Sequence, residues 1–198
     1  MTNSVPPTES PDPVRIAIVV GSTRDGRRGR AVADWYVGAI AGDDRVTVDV
    51  VDLAAFALPD HYTFHPHDGV AELKARLDQA DAFVVVTPEY NHSYPASLKE
   101  AIDYAKAEWF RKAIAFVSYG GVSGGLRAVE HLRGVFAELH AVGIRETVSF
   151  HGPFNGFGDD GPGDPDSASQ AAKVQLDDLV WWATTLRSGR DRVLEAAW

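Results

Sequence analysis

VRIAIVVGSTRDGRRGRAVADWYVGAI, residues 14–40, passes from an aliphatic run through a Gly- and Arg-rich turn into a helical pattern. Residues 14–20 form a short apolar run that ends in glycine, which predicts a strand buried on both faces. From about Gly29 to Ile40, the residues Val32, Trp35, Tyr36 and Ala39 recur at helical spacing. The same succession repeats down the chain. Residues 46–53 alternate valine with Thr47 and Asp49 and predict a second strand, followed by a loop over 54–69 that holds Pro59, Pro66 and Gly69. Residues 70–79 place Leu73 and Leu77 four apart and predict a helix, and 82–87 (AFVVVT) predict a third buried strand. A helix over 97–107 follows Pro95, a strand over 113–118 (AIAFVS) comes next, and a helix over 126–141 ends near Gly143. A fifth strand over 144–150, a Gly/Pro/Asp-rich loop over 151–166 and a last helix over about 167–186 complete the pattern.

Apolar strands alternating with amphipathic helices predict an α/β chain whose parallel sheet is covered on both faces. Five strands and five helices fit a three-layer flavodoxin-like fold with a five-stranded parallel sheet of order 2-1-3-4-5. Ligands of such sheets sit beyond the carboxyl ends of the strands, at the switch point between strands one and three. The expected organisation is a disordered tail over 1–13, one domain over 14–187 and a C-terminal tail over 188–198. The first thirteen residues carry four prolines and neither an apolar run nor a basic n-region, so they read as a tail and not as a signal peptide.

Composition narrows the function classes. The 198 residues are 45% hydrophobic and 24% charged, enough for one good core. A net charge of −9 argues against a general binder of nucleic acid or of an anionic membrane. There are no cysteines, which removes disulfides, thiolate catalysis and Cys-ligated metal centres, so redox chemistry must come from a bound cofactor. No segment approaches the roughly 20 apolar residues of a membrane helix. The expectation is a soluble cytoplasmic protein.

Three loops leave the strands at the predicted switch point. The first, residues 21–29, carries part of a local basic patch: four arginines lie between Arg24 and Arg30. It fails the dinucleotide pattern G-x-G-x-x-G because position 23 is Thr, and it misses the Walker A pattern because Arg27 and Arg28 stand where Lys and a hydroxyl are needed. A mononucleotide phosphate nest is the better reading: Ser22 and Thr23 supply hydroxyls, Arg24 a charged fork and the helix start free N–H groups. A Gly-rich turn with solvated arginines is the plain alternative. The second loop, 87–99, combines aromatic rings, an amide and two prolines, a rigid platform suited to a flat ring; Tyr90 and Tyr94 could instead be core caps. The third, 118–125, has four glycines that let backbone approach a ligand edge. It also contains G-x-S-x-G around Ser123, the nucleophile-elbow pattern, whose downstream histidines would be His140 or His151. Asp52 at the end of strand two reads as a loop or cap acid, and His61, His65 and His67 near Asp60 and Asp68 read as a solvated loop ahead of a metal site.

Taken together, the motifs GSTR (21–24), TPEYNHSYPASLKEAIDY (87–104) and SYGGVSGGLRAVEHLR (118–133) make the chain similar to the NADPH-dependent FMN reductase family, a flavodoxin-like group that includes chromate, quinone and azo-compound reductases. The resemblance extends over nearly all of 14–187. It implies an oxidoreductase with FMN and NADPH (or NADH) as cofactors and a small-molecule electron acceptor. It implies that Ser22, Arg24 and the backbone at Arg27, Arg28 and Gly29 hold the FMN phosphate. Where several members have a serine or asparagine at the helix start, this chain has Arg27, Arg28 and Gly29. Pro88, Glu89, Tyr90 and Asn91 match the segment bordering the isoalloxazine, and Ser118, Gly120 and Gly121 the loop closing its pyrimidine end. The family pattern also implies a homodimer or homotetramer, with Leu98, Ile102 and Tyr104 as interface candidates and core packing as their alternative. Hydride transfer between stacked rings requires no thiol, metal or obligatory general acid, so no single catalytic residue and no metal is expected. The competing functions are a non-catalytic flavodoxin-type electron carrier and a serine hydrolase using Ser123.

Overall fold

The computed structural model describes residues 12–59, 61–152 and 156–195. The first eleven residues of the expected N-terminal tail and the last three of the expected C-terminal tail lie outside them.

Five strands form one sheet: β1 (Val14–Val20), β2 (Val46–Asp52), β3 (Ala82–Pro88), β4 (Ala113–Gly120) and β5 (Val142–His151). Their order is β2-β1-β3-β4-β5, and every neighbouring pair is parallel. The expected flavodoxin-like topology is therefore the observed one. Strand alternation sorts side chains into two cores. Val14, Ile16, Ile18 and Val20 of β1, with Val84 and Val86 of β3, face helices α1 (Gly29–Ala39) and α5 (Pro165–Glu195), where they meet Val32, Tyr36, Leu176 and Leu179. Ala17, Val19, Phe83 and Val85 face the other layer, made of α2 (Asp68–Asp78), α3 (Ala96–Tyr104) and α4 (Leu126–Glu138). Leu73, Leu77, Leu98, Ile102, Leu132 and Phe136 fill that side. Burying β3 on both faces is why it reads as an unbroken apolar run instead of an alternating one.

Several element ends differ from the periodicity. The helix predicted over 97–107 stops at Tyr104, and a single 3₁₀ turn, Ala107–Trp109, follows it. The helix predicted to end near Gly143 stops at Glu138; the left-handed residue after it is His140 (φ 55°), whose N–H donates to Ala137 O, so a histidine takes the place expected of glycine. The stretch 151–166 is not all loop: β6 (Phe157–Gly158) and β7 (Gly161–Pro162) pair antiparallel. The last helix continues to Glu195, nine residues past the expected end, where Arg187 and Arg190 reach back to Asp81. Leu98, Ile102 and Tyr104 are buried inside the chain. Tyr104 donates to His61 O at 2.9 Å and stacks on Tyr62. These side chains belong to the core, which corrects their reading as interface candidates. No helix among the described residues is long and apolar enough to cross a membrane.

The β4–β5 pairing breaks register between Ile114 and Phe116. Gln175 of α5 is fully buried there, and its Nε2 donates to Phe116 O at 2.9 Å and Glu146 O at 3.0 Å. The amide supplies hydrogen bonds that the disrupted ladder does not. Gln175→Leu should keep the volume and lose both bonds, lowering stability by about 1–3 kcal/mol in urea unfolding; an unchanged midpoint would mean that the carbonyls find other donors.

Candidate functional site

The ends of β1, β3 and β4 open into a cleft of about 720 Å³, within the range of small-molecule sites. Its walls come from all three predicted loops and from a fourth segment, the β6–β7 hairpin.

The first loop is anchored below and open above. Gly21 N–H donates to Val86 O at 2.9 Å, and Ser97 Oγ donates to Gly21 O at 3.0 Å. Ser22 is fully buried. A Cβ on Gly29 would stand 2.3 Å from Ser22 Oγ and 3.0 Å from Val20, so only glycine lets the start of α1 come this close. No side chain caps that helix start, and its first turn holds no acid. Its exposed N–H groups and dipole favour an anion.

The four arginines of the patch separate. Arg27 makes a two-pronged ion pair with Asp52, at 2.9 and 2.7 Å, while Asp52 also accepts from Ala54 N–H. Arg30 pairs with Asp34 on the surface. Arg28 donates to Phe157 O and lies 3.3 Å from Asp159, tying the hairpin to the helix start. Arg24 lines the cleft with its guanidinium 5.2 Å from the centre of the Tyr90 ring, and among the described residues no carboxylate pairs with it. Arg24, expected at the site through its side chain, lines the cleft; of Arg27 and Arg28, expected there through their backbone, Arg28 lines it and the Arg27 side chain is committed to Asp52.

In the second loop, Pro88, Glu89 and Tyr90 line the cleft. The Tyr90 hydroxyl is buried and has no hydrogen-bond partner among the described residues, an open donor and acceptor at the wall. Asn91 does not join them. Tyr90 and Ser93 exchange backbone hydrogen bonds at 2.8 and 3.0 Å, with Asn91 (φ 48°) and His92 (φ 74°) as the two left-handed residues of the turn between them. The role of Asn91 here is to make that turn, and its side chain is exposed.

In the third loop, Gly120 and Gly121 line the cleft, but Ser118 is buried beneath it. Ser118 Oγ and Ser149 Oγ both donate to Gly124 O at 2.8 Å, holding the loop down. Gly125 (φ 85°) fits there because a Cβ would stand 2.8 Å from Ser118 Cβ. Ser123 Oγ donates to Glu89 and not to a histidine; the His151 ring contacts Ser149 Oγ and Val122 O instead. The hydrolase arrangement needs a serine–histidine hydrogen bond, which this geometry lacks.

Two contributors escaped the sequence reading. Tyr119 donates to Ser22 Oγ at 3.2 Å and so joins the third loop to the first. Burial raises its phenol above the ordinary range. Strand parity held the signal: Tyr119 lies two residues from Val117, on the α1 face, while Ser118 falls on the opposite face. The other is the hairpin, where two residues, Asp159 and Asp160, separate Gly158 from Gly161 and bring Phe157 and Gly161 to the cleft. Among the described residues no three His, Asp or Glu side chains gather in a metal-binding group; Asp60 lies outside those residues.

Glu89 locks the second loop to the third, through Ser123 and through Arg127 at 3.0 Å. Burial pushes its carboxyl up, but the hydrogen bonds from Ser123 and Arg127 and the Arg127 charge prevail, and the group sits below its ordinary value. A depressed carboxyl adds stability above its unfolded pKa and loses it as pH falls through the lower folded value. The stability difference between wild type and Glu89→Gln should persist at neutral pH and vanish on acidification; a difference independent of pH would exclude the ion pair as its source.

A family model described as NADPH-dependent FMN reductase matches residues 14–154. The probable NADPH:quinone oxidoreductase 2 of Oryza sativa subsp. japonica is 32% identical over 162 residues, covering 77% of this chain and 80% of the relative. NAD(P)H-dependent FMN reductase LOT6 of Saccharomyces cerevisiae is 34% identical over 144 residues, covering 64% and 75%. Among solved structures, FerB, a flavoenzyme NAD(P)H:(acceptor) oxidoreductase from Paracoccus denitrificans, superposes with a TM-score of 0.69 at 25% identity, over 87% of this chain and 98% of that one.

Proposed function

This chain belongs to the NADPH-dependent FMN reductase family, and from that premise we propose that its cleft holds FMN, with the phosphate in the turn at 22–29, and reduces a quinone-type acceptor with electrons from NAD(P)H. The chain is an oxidoreductase with FMN and NAD(P)H as its redox groups. The acceptor class rests on the rice relative's name, and free flavin, a metal oxyanion or an azo compound are the other candidates.

The observation that carries the proposal is the uncapped start of α1 beside a buried Ser22 hydroxyl and an Arg24 that no carboxylate among the described residues pairs with. Backbone N–H groups, a hydroxyl and a guanidinium fork then converge on one anion. Across the cleft, Tyr90 offers its unpartnered hydroxyl, and Pro88 stiffens the wall that a flat ring would lie against. The backbone at Gly120 and Gly121 closes the far side with no side chain in the way.

Bound FMN would supply the two-electron chemistry, taking hydride from nicotinamide C4 at flavin N5 and then reducing the acceptor in a second half-reaction. The protein contributes orientation and fixed dipoles. Glu89 keeps the two ring-bordering loops in register through Ser123 and Arg127. Tyr119 holds Ser22 in place through their hydrogen bond, and Arg28 keeps the hairpin wall against the helix start. A homodimer or homotetramer would draw its contact surface from residues other than Leu98, Ile102 and Tyr104, which the core uses.

Arg24→Ala should weaken FMN binding by roughly 1.5–3 kcal/mol, the scale of a charge-assisted hydrogen bond, measured by fluorescence titration of apoprotein with FMN. Unchanged affinity would put the phosphate elsewhere. Anaerobic mixing of the FMN-loaded protein with NADPH or NADH should bleach the visible flavin absorbance; flavin that stays oxidised over seconds would leave only the electron-carrier reading.

A further inference from the structure

At the opposite end of the sheet, where β1, β3 and β4 begin, lies a second cleft of about 560 Å³. The seven residues of β1, at about 3.3 Å each, put it roughly 20 Å from the first. Its walls carry Arg15, Arg111, Lys112, Arg187 and Arg190 against Asp78, Asp81 and Asp191, a local positive excess on a chain of net charge −9.

We propose that this cleft is a binding site for a small phosphate-bearing anion, separate from the flavin site.

Structural duties account for part of the charge. Lys112 Nζ donates to Leu77 O and Asp78 O at 3.2 and 3.0 Å, closing the end of α2. Arg187 and Arg190 tie the last turns of α5 to the sheet through Asp81. These duties do not balance the site. Asp81 is nearly buried and is shared by three guanidinium groups, those of Arg15, Arg187 and Arg190, at 3.3 to 3.5 Å. With Asp191, which lines the same cleft, two carboxylates face these three cations, and Arg111 adds a fourth. Burial pushes Lys112 down to about 8 against the opposing charges of Asp78, Asp81 and Glu108, and burial lowers Arg190 as well.

The donors also converge from different elements. Arg15 comes from β1, Arg111 from the turn before β4, and Arg187 and Arg190 from α5. Cationic forks arriving from three directions suit a tetrahedral dianion better than a planar carboxylate. Arg111 sits at φ 54°, and its carbonyl accepts from Arg190 at 2.7 Å, so the turn is fixed to α5 while its own side chain remains exposed. A neighbouring hollow of about 560 Å³ shares Arg15, Arg187 and Asp191 and is also lined by Asp12. At this distance an occupant would not touch the groups that react in the flavin cleft.

The test is calorimetric titration of the FMN-loaded protein with sodium pyrophosphate, with sodium chloride and sodium succinate at matched ionic strength as controls. The expected result is saturable binding of one pyrophosphate that leaves the flavin spectrum unchanged, persists in Arg24→Ala, and weakens about tenfold or more in Arg190→Gln and Arg111→Asn. Arg111→Asn places a residue tolerant of positive φ on an exposed turn, so it serves if Arg190→Gln does not fold. Heat no greater than the chloride control would overturn the proposal. So would equal affinity in Arg111→Asn, loss of binding in Arg24→Ala, or succinate binding as tightly as pyrophosphate.

Discussion

Ile16 through Val20 of β1 pair in parallel register with Ala82 through Val86 of β3, and the ladder runs one step past the strand, where Gly21 N–H donates to Val86 O. The chain leaves β1 toward the α1 face and leaves β3 toward the α3 face. Two loops that start side by side therefore diverge, and a crevice must open between them. The seam beneath it is closed: a Cβ on Gly21 would stand 2.9 Å from Leu98 Cδ2, and Ser97 holds the Gly21 carbonyl. The cleft is thus a consequence of strand order, and the loops decide what lines it.

Hydrogen bonds between loops turn that crevice into a shaped site. Tyr119 reaches Ser22, Glu89 reaches Ser123 and Arg127, and Arg28 reaches the hairpin at Phe157. Each link joins segments far apart in sequence. The groups that would contact a ligand are consequently held by neighbours that do not, which is how a loop-built site keeps a fixed geometry.

Charge is distributed by the same logic. Arg24, Arg27, Arg28 and Arg30 look equivalent in the sequence, yet Asp52, Asp34 and the hairpin engage three of them and leave Arg24 facing the cleft with no carboxylate partner among the described residues. At the far end of the sheet, three arginines from β1 and α5 gather on Asp81. Both clusters sit on an acidic chain, so each is a local feature that net charge conceals.

The sheet and the end of it where the site lies were legible in the order of residues. Apolar runs at 14–20, 82–87 and 113–118 read as strands buried on both faces, and their alternation with helical periods left few parallel topologies open. Motif similarity then pointed to Ser22, Arg24, Pro88, Glu89, Tyr90, Gly120 and Gly121, all of which lie at the end of the sheet where the cleft opens. Local periodicity carries no information about which side chain meets a distant partner. The folded chain settles that Arg27 belongs to Asp52, that Asn91 makes a turn, that Ser118 braces a carbonyl, and that Leu98, Ile102 and Tyr104 are core. It also decided that α5 runs on to Glu195, because Arg187 and Arg190 find Asp81 more than a hundred residues back along the chain. Pairing across such separations is fixed by packing and charge in three dimensions, which the order of residues encodes only through the completed fold.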